Sequence, residues 1–533
     1  MNKTKVLIIR LFTLLSLAMP NMLLASEVSK VDVTKTMQRA TQFMTETVSY
    51  QGGYVWSYLP DFSRRWGEME AKPTMVWVQP PGTATMGHLY LDAYHITQDE
   101  SYYKAAQGVA SALIKGQHPS GGWNYMFDLA GEASLKQWYN TIGKNGWRLE
   151  EFQHYYGNAT FDDGGTYEAS VFLLRLYLTK KSPEYRQPLY QAIQFVLDSQ
   201  YPVGGWPQRF PPAKSYSVKG QADYSANITF NDDVAANNLK LLAYCLKTLD
   251  DPKLKPKLES AIFKAMDAFV KLKLPIPQPG WALQYTQDFK PASARSYEPK
   301  SVSTSTTVHN LYLLMQFYQL TADKKYLTGI MQSIDWLDSL KLAPELIKNG
   351  RTHPRMVEIG TNKTLFLHRS GSNVTNGKYY VDYQPEYQIA HYPSIGRIDT
   401  QALKQQYQSL IQNPLPKNKQ TSNLLIDNLP NLPDLFVVNR YAKRQDKTIA
   451  DIIAALNQQG YWPAQIDYIT HPYLGSAPEK IADGDYRTSF VGDNYDTSPY
   501  PNSQPLTGIT LKEYLKNMSS LLTYLEAQNA QTH

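Results

Sequence analysis

The sequence predicts an all-α fold: an α/α barrel of helical hairpins whose Gly-aromatic loops gather on one face. Two observations carry this. A loop signature recurs, reading G-G-Y-V-W from Gly52, G-G-W from Gly121, G-G-W-P-Q from Gly204, G-W from Gly280 and G-Y-W-P-A-Q from Gly460. Between the signatures apolar residues repeat with a helical period. Leu89, Leu91, Tyr94, Ala105, Val109 and Leu113 precede the second, and Leu173, Leu176, Tyr177, Ile193, Val196 and Leu197 precede the third.

Each interval between the first four signatures spans about 70 to 80 residues, room for roughly two helices and their loops. Val234 to Leu249 and Leu258 to Leu272 form another helix pair, and Val302 to Leu320 with Lys325 to Leu340 a further one. Glycine after a helix acts as a C-terminal cap and leaves the aromatic on the loop-bearing face. There a Trp either plugs its loop onto the core or joins a rim that faces sugar rings. Recurrence favours the rim for some of them, and Trp206 is the one assigned to substrate.

The chain has 533 residues, 42% hydrophobic and 19% charged, as expected of a soluble protein. Lys3, Lys5 and Arg10 precede the apolar stretch Leu11 to Ala18, and small residues follow at Ala25 and Ser26. This order reads as a secretory signal over residues 1–26, and so as a periplasmic or secreted protein; a membrane anchor is the competing reading, but Pro20 and Asn21 interrupt the run. The formal charge is +6, three units of which reside in that leader. What remains is too mild for a nucleic-acid binder. The single cysteine, Cys245, lies in an apolar run and excludes an internal disulfide. The expected organisation is a barrel over residues 27–400, then a C-terminal helical extension over 401–533 that packs on it. A Pro- and Asn-rich loop, Asn413 to Pro433, opens the extension. No membrane association after signal removal is expected, and the protein reads as a monomer.

Two acidic clusters stand at helix starts. One is F-D-D-G-G-T, with Asp162 and Asp163; the other is I-T-F-N-D-D, with Asp232 and Asp233. Asp at a helix start serves as an N-cap, but one Asp meets that need and the doubled acids leave carboxylates over. The alternative is a site for a hard cation, since Ca²⁺ takes several carboxylate oxygens. Three basic segments complement the acids: A-R-S-Y-E-P around Arg295, R-T-H-P-R-M-V-E-I-G-T-N-K from Arg351, and H-R-S-G around Arg369. Each Arg is either a solvated surface charge or a planar fork for a carboxylate. Acids for a metal, arginines for an anion and aromatics for sugar faces together describe a polyuronate site.

The ordered motifs Q-Y-P-V-G-G-W-P-Q-R-F-P (Gln200 to Pro211), I-T-F-N-D (Ile228 to Asp232), A-R-S-Y-E-P (Ala294 to Pro299), and E-I-G-T-N-K with H-R-S-G (Glu358 to Gly371) resemble the family 10 polysaccharide lyases, pectate lyases with a pectic acid lyase domain. W-V-Q-P-P-G-T (Trp77 to Thr83) resembles longer bacterial members. The resemblance runs from about Gly52 to Gly371. It implies an α/α barrel that cleaves polygalacturonate by Ca²⁺-assisted β-elimination. Asp162 and Asp232 would act with Ca²⁺ and substrate, Asp162 taking a catalytic part. Arg295 would be the base, Arg355 and Arg369 would hold substrate carboxylates, and Asp163 would line the subsite. The sequence departs from the family at Asp163, where Asn is usual, and at Met356 and Val357, where an aromatic pair follows the arginine. The usual E-R-R-x-G-Y-x-W has no counterpart around Tyr387 to Gly396. A glycoside hydrolase using Asp162 and Asp232, or a non-catalytic oligouronide-binding protein, are the alternatives.

Overall fold

The helical periodicities become alternating outer and inner helices in the computed structural model, which describes residues 28–216, 222–413, 447–480 and 484–531. The leader read over 1–26 and nearly all of the loop from Asn413 to Pro433 lie outside these residues. In chain order the helices are α1 (Lys30–Phe43), α2 (Thr83–Thr97), α3 (Glu100–Lys115), α4 (Glu132–Trp138), α5 (Gly165–Lys180), α6 (Arg186–Asp198), α7 (Val234–Thr248), α8 (Lys255–Lys271), α9 (Thr304–Thr321), α10 (Ile330–Ser339), α11 (Asn373–Asn376), α12 (Thr400–Gln412), α13 (Ile449–Ala455) and α14 (Leu511–Ala530). Helices α2, α5, α7 and α9 are buried nearly all round and form the inner layer. Their partners α3, α6, α8 and α10 bury one face only, which is the amphipathic pattern of an outer layer. Helix α14 packs against α1 and α2, and α12 against α9 and α10. Among the described residues no helix is long and apolar enough to cross a membrane.

The recurrent loop signature is a stitch between neighbouring outer helices. After α3, α6, α8 and α13 a Trp folds back, and its indole N–H donates to a carbonyl of the helix just left. Trp123 donates to Leu113 O at 2.8 Å, Trp206 to Val196 O at 2.8 Å, Trp281 to Phe269 O at 2.9 Å and Trp462 to Ile452 O at 2.8 Å. The glycine before the Trp touches the next outer helix. A Cβ on Gly121 would stand 2.1 Å from Gln191 O of α6, and one on Gly204 would stand 1.9 Å from Lys264 O of α8. Both glycines have φ near 108°, a backbone that side chains rarely adopt.

Short antiparallel pairs knit the same face. Ala159–Thr160 before α5 pairs with Arg209–Phe210 after α6, and Ile228–Thr229 before α7 pairs with Gln284–Tyr285 after α8. Val302–Ser303 before α9 pairs with Met356–Val357 after α10. A four-stranded sheet joins 464–465, 507–510, 57–58 and 65–66 in that order, uniting both ends of the chain. One hydrophobic core runs from Val33 to Leu525, and a smaller one of Leu283, Tyr297, Met356, Leu365, Leu367 and Ile389 lies under the loops.

Candidate active site

Both acid pairs occupy a tight turn ahead of an inner helix. Asp163 (φ 51°) precedes α5, and Asp232 (φ 48°) with Asp233 (φ 59°) precedes α7, all in the left-handed region. Each such residue costs on the order of 1 kcal/mol or more and persists only where its surroundings hold it. Capping does not account for these acids. The N-cap residues are Gly164 for α5 and Asp233 for α7, and neither makes a side-chain capping bond. Elsewhere the fold caps in the ordinary way, with Asp99, Ser303, Asp399, Thr448 and Thr510 accepting backbone N–H bonds.

The turns pack together, and their carboxyls meet Arg295 from the loop before α9. Arg295 Nη2 donates to Asp162 Oδ2 at 2.5 Å, Nε to Glu151 Oε2 at 3.2 Å and Nη1 to Glu298 Oε1 at 3.1 Å. Tyr125 also donates to Asp162 Oδ2, at 2.5 Å. Asp162 Oδ1 is buried with no amide, hydroxyl or guanidinium donor, and the Asp232 carboxyl lies within hydrogen-bonding reach of the Asp162 side chain. Gln79 Nε2 donates to Asp163 Oδ2 at 2.8 Å and to Glu68 Oε2 at 2.7 Å. Arg209 lies over the Tyr125 ring at 5.2 Å and donates to Asn124 and Asn158.

Six carboxyls (Glu68, Glu151, Asp162, Asp163, Asp232, Glu298) thus face two guanidiniums, Arg295 and Arg209, so the site has a surplus of acid. Burial works to raise Asp162, but Arg295, the Asp232 hydrogen bond, Tyr125 and Arg209 outweigh it and leave the carboxyl below its usual range. Asp163 and Asp232 go the other way. The surrounding protein, then Asp162 and their other acid neighbours, hold both well above the ordinary carboxylate value. Asp232 is solvent-exposed and Asp163 only partly so, so for Asp232 the repulsion by Asp162 and Asp163 is the better-founded cause. Burial pushes Glu151 up to about 7 while Arg295 pulls it down. Glu151 shares that guanidinium, 3.2 Å away, with Asp162 and Glu298.

This environment corrects the expected surroundings of Arg295. A guanidinium acts as a base only in its neutral form, which neighbouring cations would favour, yet the neighbours of Arg295 are carboxylates. Burial lowers its pKa, Glu151, Asp162 and Glu298 raise it further, and the guanidinium stays charged. Arg355 lies beside this cluster. It is half-buried, it lies over the Tyr392 ring at 4.7 Å, and its guanidinium makes no hydrogen bond among the described residues. Tyr392 in turn donates to Glu298 Oε1 at 3.0 Å, which ties Arg355 to the acid cluster.

Two assigned residues do not face a ligand. Trp206 is completely buried, with its N–H spent on Val196, so it is a loop plug and not a substrate platform. Arg369 is 1% exposed and stacks on Trp147 at 4.3 Å. Its fork serves the C-terminal segment, donating to Tyr486 O, to Ser489 Oγ at 2.7 Å and to Val491 O at 3.4 Å. Burial pulls its pKa down to about 10. The two histidines of the basic segments, which could also serve as bases, are placed elsewhere: His353 is buried near Asp338 and Lys341 of the α10 region, and His368 pairs with Asp382 at 2.9 Å.

Sequence reasoning missed Glu68, Glu151, Gln79 and Arg209, and gave Glu298 no role. Gln79, Arg209 and Glu298 stand inside the quoted motifs W-V-Q-P-P-G-T, Q-R-F-P and A-R-S-Y-E-P, which was the signal available. Glu68 and Glu151 carry none, because nothing local marks an acid whose partner is far along the chain.

Among the described residues no three His, Cys, Asp or Glu side chains converge as a ready metal cage. The surplus of carboxyls and the unsatisfied Asp162 Oδ1 nevertheless suit a hard cation that takes two protein carboxylates and draws its other oxygens from substrate and water.

The family described as pectic acid lyase matches residues 139–376, just under half of the chain. No curated protein matches the sequence. Solved structures similar to it include a family 10 polysaccharide lyase from Cellvibrio cellulosa, at 18% identity over 67% of this chain and 97% of that one, with a TM-score of 0.39. An aspartate-to-alanine mutant of the Cellvibrio lyase in complex with trigalaturonic acid is 19% identical over 57% of this chain and 96% of its own, with a TM-score of 0.36. An α-1,6-mannanase from Salegentibacter sp. is 12% identical over 94% and 99%, with a TM-score of 0.34. At these scores no residue role is taken from any of them. The motifs quoted from Gln200 to Gly371 and the family match fall on the same stretch: residues 139–376, which carry most of the acid cluster, match the pectic acid lyase family.

Proposed function

We propose that the protein cleaves polygalacturonate by Ca²⁺-assisted β-elimination, releasing 4,5-unsaturated oligogalacturonides. The observation that carries this is the meeting of Asp162, Asp232 and Arg295, with one buried Asp162 oxygen unsatisfied and more carboxyls than cations around it. Asp162 and Asp232 would hold Ca²⁺. Bound there, the ion would offset the carboxylate charge beside Arg295 and polarise the substrate's carboxylate, making the C5 proton more acidic. Arg355, steadied by Tyr392, grips a uronate carboxylate with its planar fork. In its neutral form, reached by loss of a proton to solvent, Arg295 accepts the C5 proton, the C–H electrons become the C4–C5 double bond, and the C4–O bond breaks with its electrons on the leaving oxygen. Because Arg295 sits among acids, its neutral form is scarce and turnover rises with pH.

A hydrolase built on Asp162 and Asp232 fits poorly. Glycoside hydrolysis needs carboxyls ~5 Å or more apart, with sugar or water between them, whereas these two are in hydrogen-bonding reach of one another. Digestion of polygalacturonate with and without chelator, read by ultraviolet absorbance, separates the cases: elimination makes a conjugated product, hydrolysis does not, and a binding protein makes no product. Arg295→Lys should lower turnover by orders of magnitude while KM holds. If that variant keeps its turnover and loses only affinity, Arg295 is a clamp. Export after residue 26 belongs to the same proposal, and an N-terminal sequence beginning at Met1 in the mature protein would refute it.

A further inference from the structure

Beside the acid cluster, a recess of about 370 Å³ opens between the two ends of the chain. Its walls include Trp56, Glu68, Arg148, Asp467, Tyr468 and Lys512. Of the whole lining only Arg148 lies within the matched segment 139–376, so neither the family match nor the motif assignments account for it. Glu68 is the hinge to the chemistry. Gln79 joins its carboxyl to that of Asp163, so the recess begins one side chain away from the turn that carries Asp162. A larger hollow of about 640 Å³ between α1 and α3, lined by Gln38, Glu46 and Lys104 among others, has no such link.

We propose that this recess is a subsite for the uronate at one end of the bound chain, and that the C-terminal extension builds it. The inference rests on the polyuronate reading of the neighbouring site. Three features fit a sugar acid. Arg148 is pinned by Nε and Nη2 to Pro499 O at 3.0 and 2.8 Å, which leaves its Nη1 without a partner among the described residues. A guanidinium held this way is ordered in advance for an anion, and it stands near the Glu68 charge that shares the recess. Lys512 adds a second cation at the mouth, its side chain 78% exposed and only loosely paired with Asp467 at 3.2 Å. Trp56, half-buried with its N–H bound to Gln79 O, and Tyr468, 51% exposed, offer ring faces. The size belongs to the ~300–1,000 Å³ class of small-ligand sites and not to a long open groove. The same C-terminal stretch covers Arg369 and bonds Asn145 and Arg148, so it walls the barrel face at this end. A closed end selects chain termini or short chains.

The test is the affinity of saturated oligogalacturonates of increasing length, by titration calorimetry, for the full-length wild type and for Tyr468→Ala and Lys512→Glu. Both side chains are exposed, so unchanged melting temperatures will show intact folding; Arg148→Gln is a third variant at the inner wall. Ultraviolet product formation is followed in parallel. We expect the variants to lose at least tenfold in affinity for the longer oligomers and little for the shortest, with turnover at saturation kept. Variants that bind every oligomer like the wild type overturn the subsite even where product forms. Length-dependent loss of binding without any product would uphold the subsite and sink the lyase reading. A wild type that neither binds nor cleaves would sink both.

Discussion

Replacing Asp163 by Asn exchanges a carboxyl for an amide of the same shape at a point where the sequence departs from the family 10 pattern it resembles. Asp163 accepts a hydrogen bond from Gln79 and is held well above the usual carboxylate range by burial and then by Asp162 and Glu68. The folded protein therefore keeps a proton that the unfolded chain releases at about pH 4. Folded protein binding more protons than unfolded means that stability falls as pH climbs from that value through the raised folded one. One whole proton of excess is worth about 1.4 kcal/mol per pH unit. The amide carries no such cost, so Asp163→Asn should gain on the wild type by up to about 1.4 kcal/mol for each pH unit above ~4, then level off. That slope is an upper bound, because Asp232 is also held up by Asp163 and ionises more readily once the charge is gone. Activity should survive within a few-fold, since the protonated acid offers an O–H where Asn offers an N–H. Unfolding midpoints of both proteins in chelator from pH 4 to 8 measure this. Parallel curves would mean that Asp163 is ionised in the folded protein, and the equivalence of Asp163 with Asn would fail.

Asp232→Ala should abolish most turnover yet move stability by no more than about 1 kcal/mol, because the side chain is exposed and caps nothing; calorimetry and the absorbance assay together check it. Ca²⁺ should raise the melting temperature more at pH 8 than at pH 5, because Asp232 must shed its proton to bind, and the effect should vanish in Asp232→Ala. Trp206→Phe should destabilise by ~2 kcal/mol through the lost bond to Val196 and the space left behind, with KM unchanged. A fragment of residues 27–400 lacks α14, which packs on α1 and α2, so it should fail to give a cooperative unfolding transition.

The hairpin architecture was legible because a buried helix must repeat its apolar residues every three to four positions, as Leu173 to Leu197 do. The glycine-aromatic loops were legible too, but not the direction their rings take. A Trp that plugs a loop and one that faces a sugar have the same local sequence, and only the indole N–H bound to Val196 O separates them at Trp206. In the site, Asp162, Asp232, Arg295 and Arg355 could be picked out because each stands in a motif of unusual composition. Glu151 could not, since its meaning comes from Arg295, more than a hundred residues away. Arg369 misled for the converse reason: its neighbours in sequence resemble a ligand clamp, and its partners in space are carbonyls of the segment around Tyr486.

The four-stranded sheet that joins residues 57–66 to 464–510 has a consequence for how the protein comes into being. A nascent chain emerges from its amino end, and the stretch around Ser57 must wait for Thr510, some 450 residues later, before it finds its partner. Until then α1 and α2 lack the cover of α14, and the recess beside Glu68 has only half its wall. The carboxyls around Asp162 are assembled earlier, from residues 125–298 and the stretch around Gln79. The protein is thus built centre first: the acid cluster can form while the outer wall of the recess is still being translated.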